Sequence, residues 1–189
     1  MTARLDPTGP FVLDLRELGR RPGSLREVRV TAAAPADLGT AVIGVPEGGD
    51  VELDLRLESV QEGVLVSGSA RLPLVGECVR CLDHLDQQVE VPLQELYVYA
   101  ERREAAADSG DPEADALPRI EGDRLDLEPM IRDAVVLALP LSPVCRDDCP
   151  GLCVECGARL ADDPDHRHGA ADPRWAALQG LLTDDEKEG

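Results

Sequence analysis

Six cysteines and two closely spaced histidines constrain this 189-residue chain more than any other feature. Cys78-Val-Arg-Cys81 comes first, Cys145-Arg-Asp-Asp-Cys149-Pro-Gly-Leu-Cys153-Val-Glu-Cys156-Gly157 follows, and His166-Arg-His168 closes the series. A two-residue gap lets both sulfurs of a cysteine pair reach one ion while N–H groups of the turn point at the thiolates. Gly157, directly after the last cysteine, lets the chain take a positive φ there. Eight ligands are the number that two closed, four-coordinate zinc sites need. One division consistent with the spacing sets Cys78, Cys81, Cys145 and Cys149 around one ion and Cys153, Cys156, His166 and His168 around another. The spacing also allows a single site made of Cys145, Cys149, Cys153 and Cys156, so the expected zinc content is one or two ions. Uncoordinated or disulfide-linked thiols, and histidines that are ordinary polar loop residues, are the plain alternatives. His84, near Cys81, reads as structural, because that site already has four better ligands.

Composition narrows the function classes. One Phe, one Trp and two Tyr leave the core to aliphatic side chains and count against a single-strand-binding groove built on base stacking. Nineteen basic against 38 acidic residues give a formal charge of −19, which repels a phosphate backbone at long range and favours basic partners. The same acidity also serves solubility. The opening Met-Thr-Ala-Arg-Leu-Asp-Pro lacks the charged start and apolar run of a secretory signal. No stretch has the length of a membrane span. The expected compartment is a reducing cytoplasm, where cysteines point to metal or redox chemistry before structural disulfides.

The pattern along the chain predicts an α+β fold: a curved antiparallel β-sheet packed by a long helix, with a C-terminal zinc-binding module. Residues 1–100 read as the β-rich body. Within it, Val51, Leu53, Leu55 and Leu57 alternate with Glu52, Asp54, Arg56 and Glu58. Val64, Val66, Gly68, Ala70, Leu72 and Leu74 continue the period of two after a turn at Gln61-Glu62-Gly63, and Val89, Val91 and Leu93 repeat it. Pro92 predicts an edge or a bulge. Arg16, Arg20, Arg21, Arg26 and Arg29 form the one locally basic stretch, expected to be a solvated loop with a possible local contact to RNA. Residues 101–124 are acidic and rich in Ala and Pro, and read as a flexible linker. A core helix is expected within 125–144, capped by Asp126, with Pro129 in its first turn and Pro140 ending it. Leu127, Met130, Ile131, Ala134, Val135 and Ala138 keep helical spacing, and Val136 and Leu137 widen the apolar face. Residues 145–182 hold the Cys/His segment and a last helix opened by Asp172-Pro173, with a stripe of Trp175, Leu178 and Leu182. An acidic tail occupies 183–189.

Four motifs in order carry a family resemblance: Glu77-Cys78-Val-Arg-Cys81-Leu82, the run from Asp126 to Pro140, Cys145 through Gly157, and Asp172-Pro-Arg174. Together they resemble the YceD family, the large-subunit ribosomal RNA accumulation proteins, over about residues 11–182. The resemblance implies a role in accumulating the ribosomal RNA of the large subunit. The family commonly carries a Cys-x-Cys pair where His166-Arg-His168 stands here, and histidine can replace cysteine on zinc. The expected activity is therefore non-enzymatic binding of a large-subunit ribosomal protein or pre-ribosomal particle. Two enzymatic readings compete with it. A thiol–disulfide oxidoreductase would use Cys78 and Cys81, yet that pair follows a strand and opens no helix that would lower a thiol pKa. A zinc hydrolase would need an open coordination position and a general base, and no such signature is present.

Overall fold

The alternation read from the sequence becomes strands because each one buries one row of side chains and leaves the other in water. The computed structural model describes residues 8–101 and 118–168. Seven strands occur among them: β1 (Val12–Asp14), β2 (Leu25–Ala33), β3 (Ile43–Gly44), β4 (Asp50–Ser59), β5 (Gly63–Glu77), β6 (His84–Val98) and β7 (Arg124–Asp126). Five of them form one antiparallel sheet in the order β2-β4-β5-β3, with β6 also paired to β5. β4 and β3 share one edge of β5, at residues 64–71 and 75–76, while β6 runs along the whole of the other. β1 and β7 make a separate antiparallel pair.

Val51, Leu53, Leu55 and Leu57 of β4 face inward together with Val64, Val66, Ala70, Leu72 and Leu74 of β5 and Val91 and Leu93 of β6. Pro92 lies on β6, whose one strand partner among the described residues is β5, so its missing N–H falls on an edge strand. Gly68 sits in the apolar row of β5 for a different reason. Its φ is 153°, and a Cβ there would stand 2.0 Å from the Asp54 carbonyl oxygen of β4. Only glycine lets the two strands approach this closely.

Helix α1 spans Glu128–Ala138 and seats Met130, Ile131 and Val135 in the core. At 11 residues it is shorter than the long helix expected over 125–144. Its start is set by β7, which takes residues 124–126, and its end by Pro140, which biases Leu139 to an extended conformation (φ −67°, ψ 138°). The N-cap position falls on Leu127, one residue later than expected, and Asp126 serves the helix start from ahead of it, its carboxylate accepting the Glu128 N–H at 2.9 Å. Val136 and Leu137 do not widen the buried face: Leu137 is 86% exposed, because the core contacts only one side of the helix.

Two further expectations change. Residues 25–33 of the basic stretch form strand β2 paired along β4, with Val28 and Val30 half-buried, where a solvated loop was expected. Residues 118–124, read from composition as linker, are ordered by pairing: Val98 donates to the Pro118 carbonyl, Ile120 donates to the Val98 carbonyl, and the Ile120 side chain is buried. The rest of that segment, 102–117, lies outside the described residues, as do the expected last helix and the acidic tail.

The chain divides into two compact units. One runs to Val79 and resumes from Asp83 to Cys145; the other comprises Arg80–Leu82 and the segment from Arg146 onward. Among the described residues no helix is long and apolar enough to cross a membrane.

Candidate metal centres

Cys78 and Cys81 flank the turn that joins β5 to β6. The Cys78 N–H donates to the Asp83 carbonyl at 2.8 Å, and Leu82 closes the turn with φ 61°. The turn between two strands is where backbone N–H groups can converge on a pair of thiolates. Arg80, between the two cysteines, donates to the carbonyls of Asp147 and Cys149 at 3.1 and 3.0 Å. The Leu152 N–H returns a bond to the Arg80 carbonyl at 3.1 Å. Gly151, at φ 79°, keeps clear of that same carbonyl, which would be 3.0 Å from a Cβ.

Downstream, Cys153 and Cys156 sit in a second tight turn. Cys153 donates to the Ala158 carbonyl, Gly157 donates back to the Cys153 carbonyl, and Leu152 bridges Arg159. Gly157 takes φ 73°, the positive value its position after the knuckle requires.

Two groups of four ligand atoms result. The sulfurs of Cys78, Cys81, Cys145 and Cys149 all lie within 4.8 Å of one another, as do the ligand atoms of Cys153, Cys156, His166 and His168. Of the two arrangements that spacing allows, the paired one is formed. None of the six cysteines is in a disulfide. His84 opens β6 opposite Glu77 and belongs to neither group.

The ligand atoms of the second group converge, slightly closer together than a bound zinc would hold them. Cys153 Sγ lies 3.1 Å from His168 Nε2, Cys156 Sγ lies 3.3 Å from His166 Nε2, and the two Nε2 atoms are 3.0 Å apart. Around zinc, with Zn–S of about 2.3 Å and Zn–N of about 2.0–2.1 Å, neighbouring ligand atoms stand roughly 3.3–3.8 Å apart. The imidazole planes cross at 82°, so both rings aim Nε2 inward without stacking. The Cys153 thiol is pulled down to about 6, chiefly by the backbone N–H groups of Cys156 and Glu155 and further by His168. That is the ionisation state a metal ligand needs.

Among the described residues from 146 to 168, Cys149 is the one buried hydrophobic side chain. Where aliphatic burial is this sparse, metal coordination is the source of folding energy in small modules. The donor set, closed at four in each group, therefore fits a structural ion.

The arginines of the N-terminal stretch are largely committed to neighbours. Arg16 pairs with Asp14, whose carboxyl it holds well below the usual carboxylate range. Arg20 reaches Glu101 at 3.3 Å and lies 4.8 Å above the Tyr99 ring. Arg26 pairs with Glu17 at 2.7 Å and Arg29 with Asp54 at 3.0 Å. Arg21 is exposed in a turn. Sequence spacing named the eight side chains that come together in these groups but not Arg80, nor the carboxylates of Glu155 and Asp163 that lie near the histidine rings. Their signal was positional: each sits inside a knuckle or three residues from a ligand.

Comparison with known proteins adds the family. The family described as Large ribosomal RNA subunit accumulation protein YceD matches residues 66–182. Uncharacterized protein Rv2926c of Mycobacterium tuberculosis is 46% identical over 181 residues, covering 96% of this chain and 86% of the relative. Uncharacterized protein ML1660 of Mycobacterium leprae is 42% identical over 93% of this chain and 79% of the relative. Uncharacterized protein YlbN of Bacillus subtilis is 25% identical over 71% of this chain and 73% of the relative. No solved structure gives a significant match.

Proposed function

Because this chain belongs to the YceD family of large ribosomal RNA subunit accumulation proteins, we propose that it supports accumulation of that RNA by binding, not by catalysis. Its partner is a basic large-subunit ribosomal protein or a pre-ribosomal particle. Two zinc ions hold the binding module together, one among Cys78, Cys81, Cys145 and Cys149, the other among Cys153, Cys156, His166 and His168.

The observation that carries this reading is the closure of both ligand groups at four. A catalytic zinc keeps a position open for water, whereas four protein ligands leave none. The net charge of −19 supports a cationic partner. The ion pairing of Arg16, Arg20, Arg26 and Arg29 with the chain's own carboxylates weighs against RNA as the primary ligand. The position of Cys78 and Cys81 in a strand–strand turn, which opens no helix, weighs against oxidoreductase chemistry.

The test sets the purified protein against two probes: proteins stripped from large subunits by high salt, and naked large-subunit ribosomal RNA. Binding to one or more basic proteins, together with depleted large-subunit RNA in cells lacking this chain, supports the proposal. Tight binding to naked RNA and to no ribosomal protein, or unchanged large-subunit RNA in those cells, overturns it.

A further inference from the structure

Glu155 lies between Cys153 and Cys156 in the knuckle of the second ligand group. Its side-chain Oε2 lies 3.4 Å from Nδ1 of His168. His168 in turn places Nε2 3.1 Å from the Cys153 sulfur. One residue therefore joins the cysteine turn, through its place in the chain, to a histidine, through its carboxylate. Asp163 makes a weaker version of the second contact, with Oδ2 3.7 Å from Nδ1 of His166, three residues away.

An imidazole has two nitrogens, and only the one without a proton can bind a metal. A carboxylate facing Nδ1 keeps the proton on that side, leaves the Nε2 lone pair for the ion and makes it more basic. Both rings here aim Nε2 at the centre and Nδ1 at a carboxylate. His166 and His168 are separated by one residue, and the carboxylates of Asp163 and Glu155 are placed to orient their rings.

Resting on the reading of Cys153, Cys156, His166 and His168 as a zinc site, we infer that Glu155 and Asp163 are positioning residues for its histidines, with Glu155 the dominant one. The carboxylates bind no ion themselves. Glu155 links the knuckle to the histidine arm, so that cysteines and histidines reach the ion as one unit.

The experiment is a titration of the full metal-free chain with Co²⁺ and then Zn²⁺ under competition, following the visible bands of tetrahedral cobalt. The proteins compared are wild type, Glu155→Ala, Glu155→Gln and Asp163→Asn. Far-UV circular dichroism of the sheet checks that each variant is folded. Glu155→Ala should weaken the Cys₂His₂ site by about 10- to 100-fold and leave the Cys₄ site unchanged. Glu155→Gln, whose amide oxygen can still accept from Nδ1–H, should recover much of the loss, and Asp163→Asn should cost less than Glu155→Ala. Nitrogen NMR of loaded wild type should show His168 with its proton on Nδ1. Unchanged affinity in Glu155→Ala, or metal bound through Nδ1, overturns the inference and leaves the zinc site standing. A wild-type chain that takes no ion at Cys153, Cys156, His166 and His168 overturns the zinc site and the inference with it.

Discussion

Tyr97 donates its hydroxyl to the backbone carbonyl of Asp126 at 2.9 Å, tying β6 to the last residue of β7 just ahead of α1. The ring is 1% exposed, and burial, followed by Glu95 and Asp126, pushes the phenol well above its usual value. Tyr97→Phe should leave the Asp126 carbonyl short of a partner and cost about 1–3 kcal/mol in urea unfolding. The pH dependence has a definite sign. The folded phenol holds its proton to higher pH than the unfolded one, so the stabilisation is complete below pH 10.0 and declines as pH rises beyond it. Wild type should therefore lose stability above that pH more steeply than Tyr97→Phe does.

Gly68 should not tolerate a side chain. With a Cβ position 2.0 Å from the Asp54 carbonyl oxygen, Gly68→Ala must push β4 and β5 apart at the centre of the sheet. A loss of at least about 2 kcal/mol in chemical denaturation is expected. Gly122→Ala makes a useful contrast: its φ is 64° but nothing lies within 4 Å of the added carbon, so only the backbone strain remains.

Metal removal should act unevenly. Native mass spectrometry should find two zinc ions per chain, one for each ligand group. Chelation should collapse amide-exchange protection from 146 to 168, where Cys149 is the one buried hydrophobic side chain among the described residues, and largely spare β4, β5 and β6, whose interior is aliphatic. All six thiols should resist alkylation before chelation and react after it. Equal protection with and without zinc would sink the structural role.

Partner binding should weaken as salt rises, since screening shortens the reach of charge to about 8 Å at physiological ionic strength. Changing Arg16, Arg20, Arg26 and Arg29 together to Gln should leave affinity for a basic partner equal or higher, because it removes positive charge already paired internally. A large loss of affinity would instead assign these arginines to RNA.

The strands β4, β5 and β6 were legible in the chain because strict alternation at Val51–Leu57 and Val64–Leu74 has one physical reading, a sheet with one wet face. The eight clustered side chains were equally legible as candidates, since few side chain types bind zinc and their spacing is local. Asp126 and Pro140 marked the neighbourhood of the helix termini through rules that involve only adjacent residues. Strand β2 was hidden because Arg26 stands in the same row as Val28, Val30 and Ala32, and its place comes from pairing with β4, which lies well downstream in the chain. The outward turn of Leu137, the burial of Ile120 and the close approach at Gly68 were likewise beyond local pattern. The division of eight ligands into two groups was open for the same reason: spacing limits which side chains can share an ion, but only the folded chain decides which of them meet. Sequence carries what neighbouring residues decide together, and tertiary structure decides whatever depends on residues brought together from far apart.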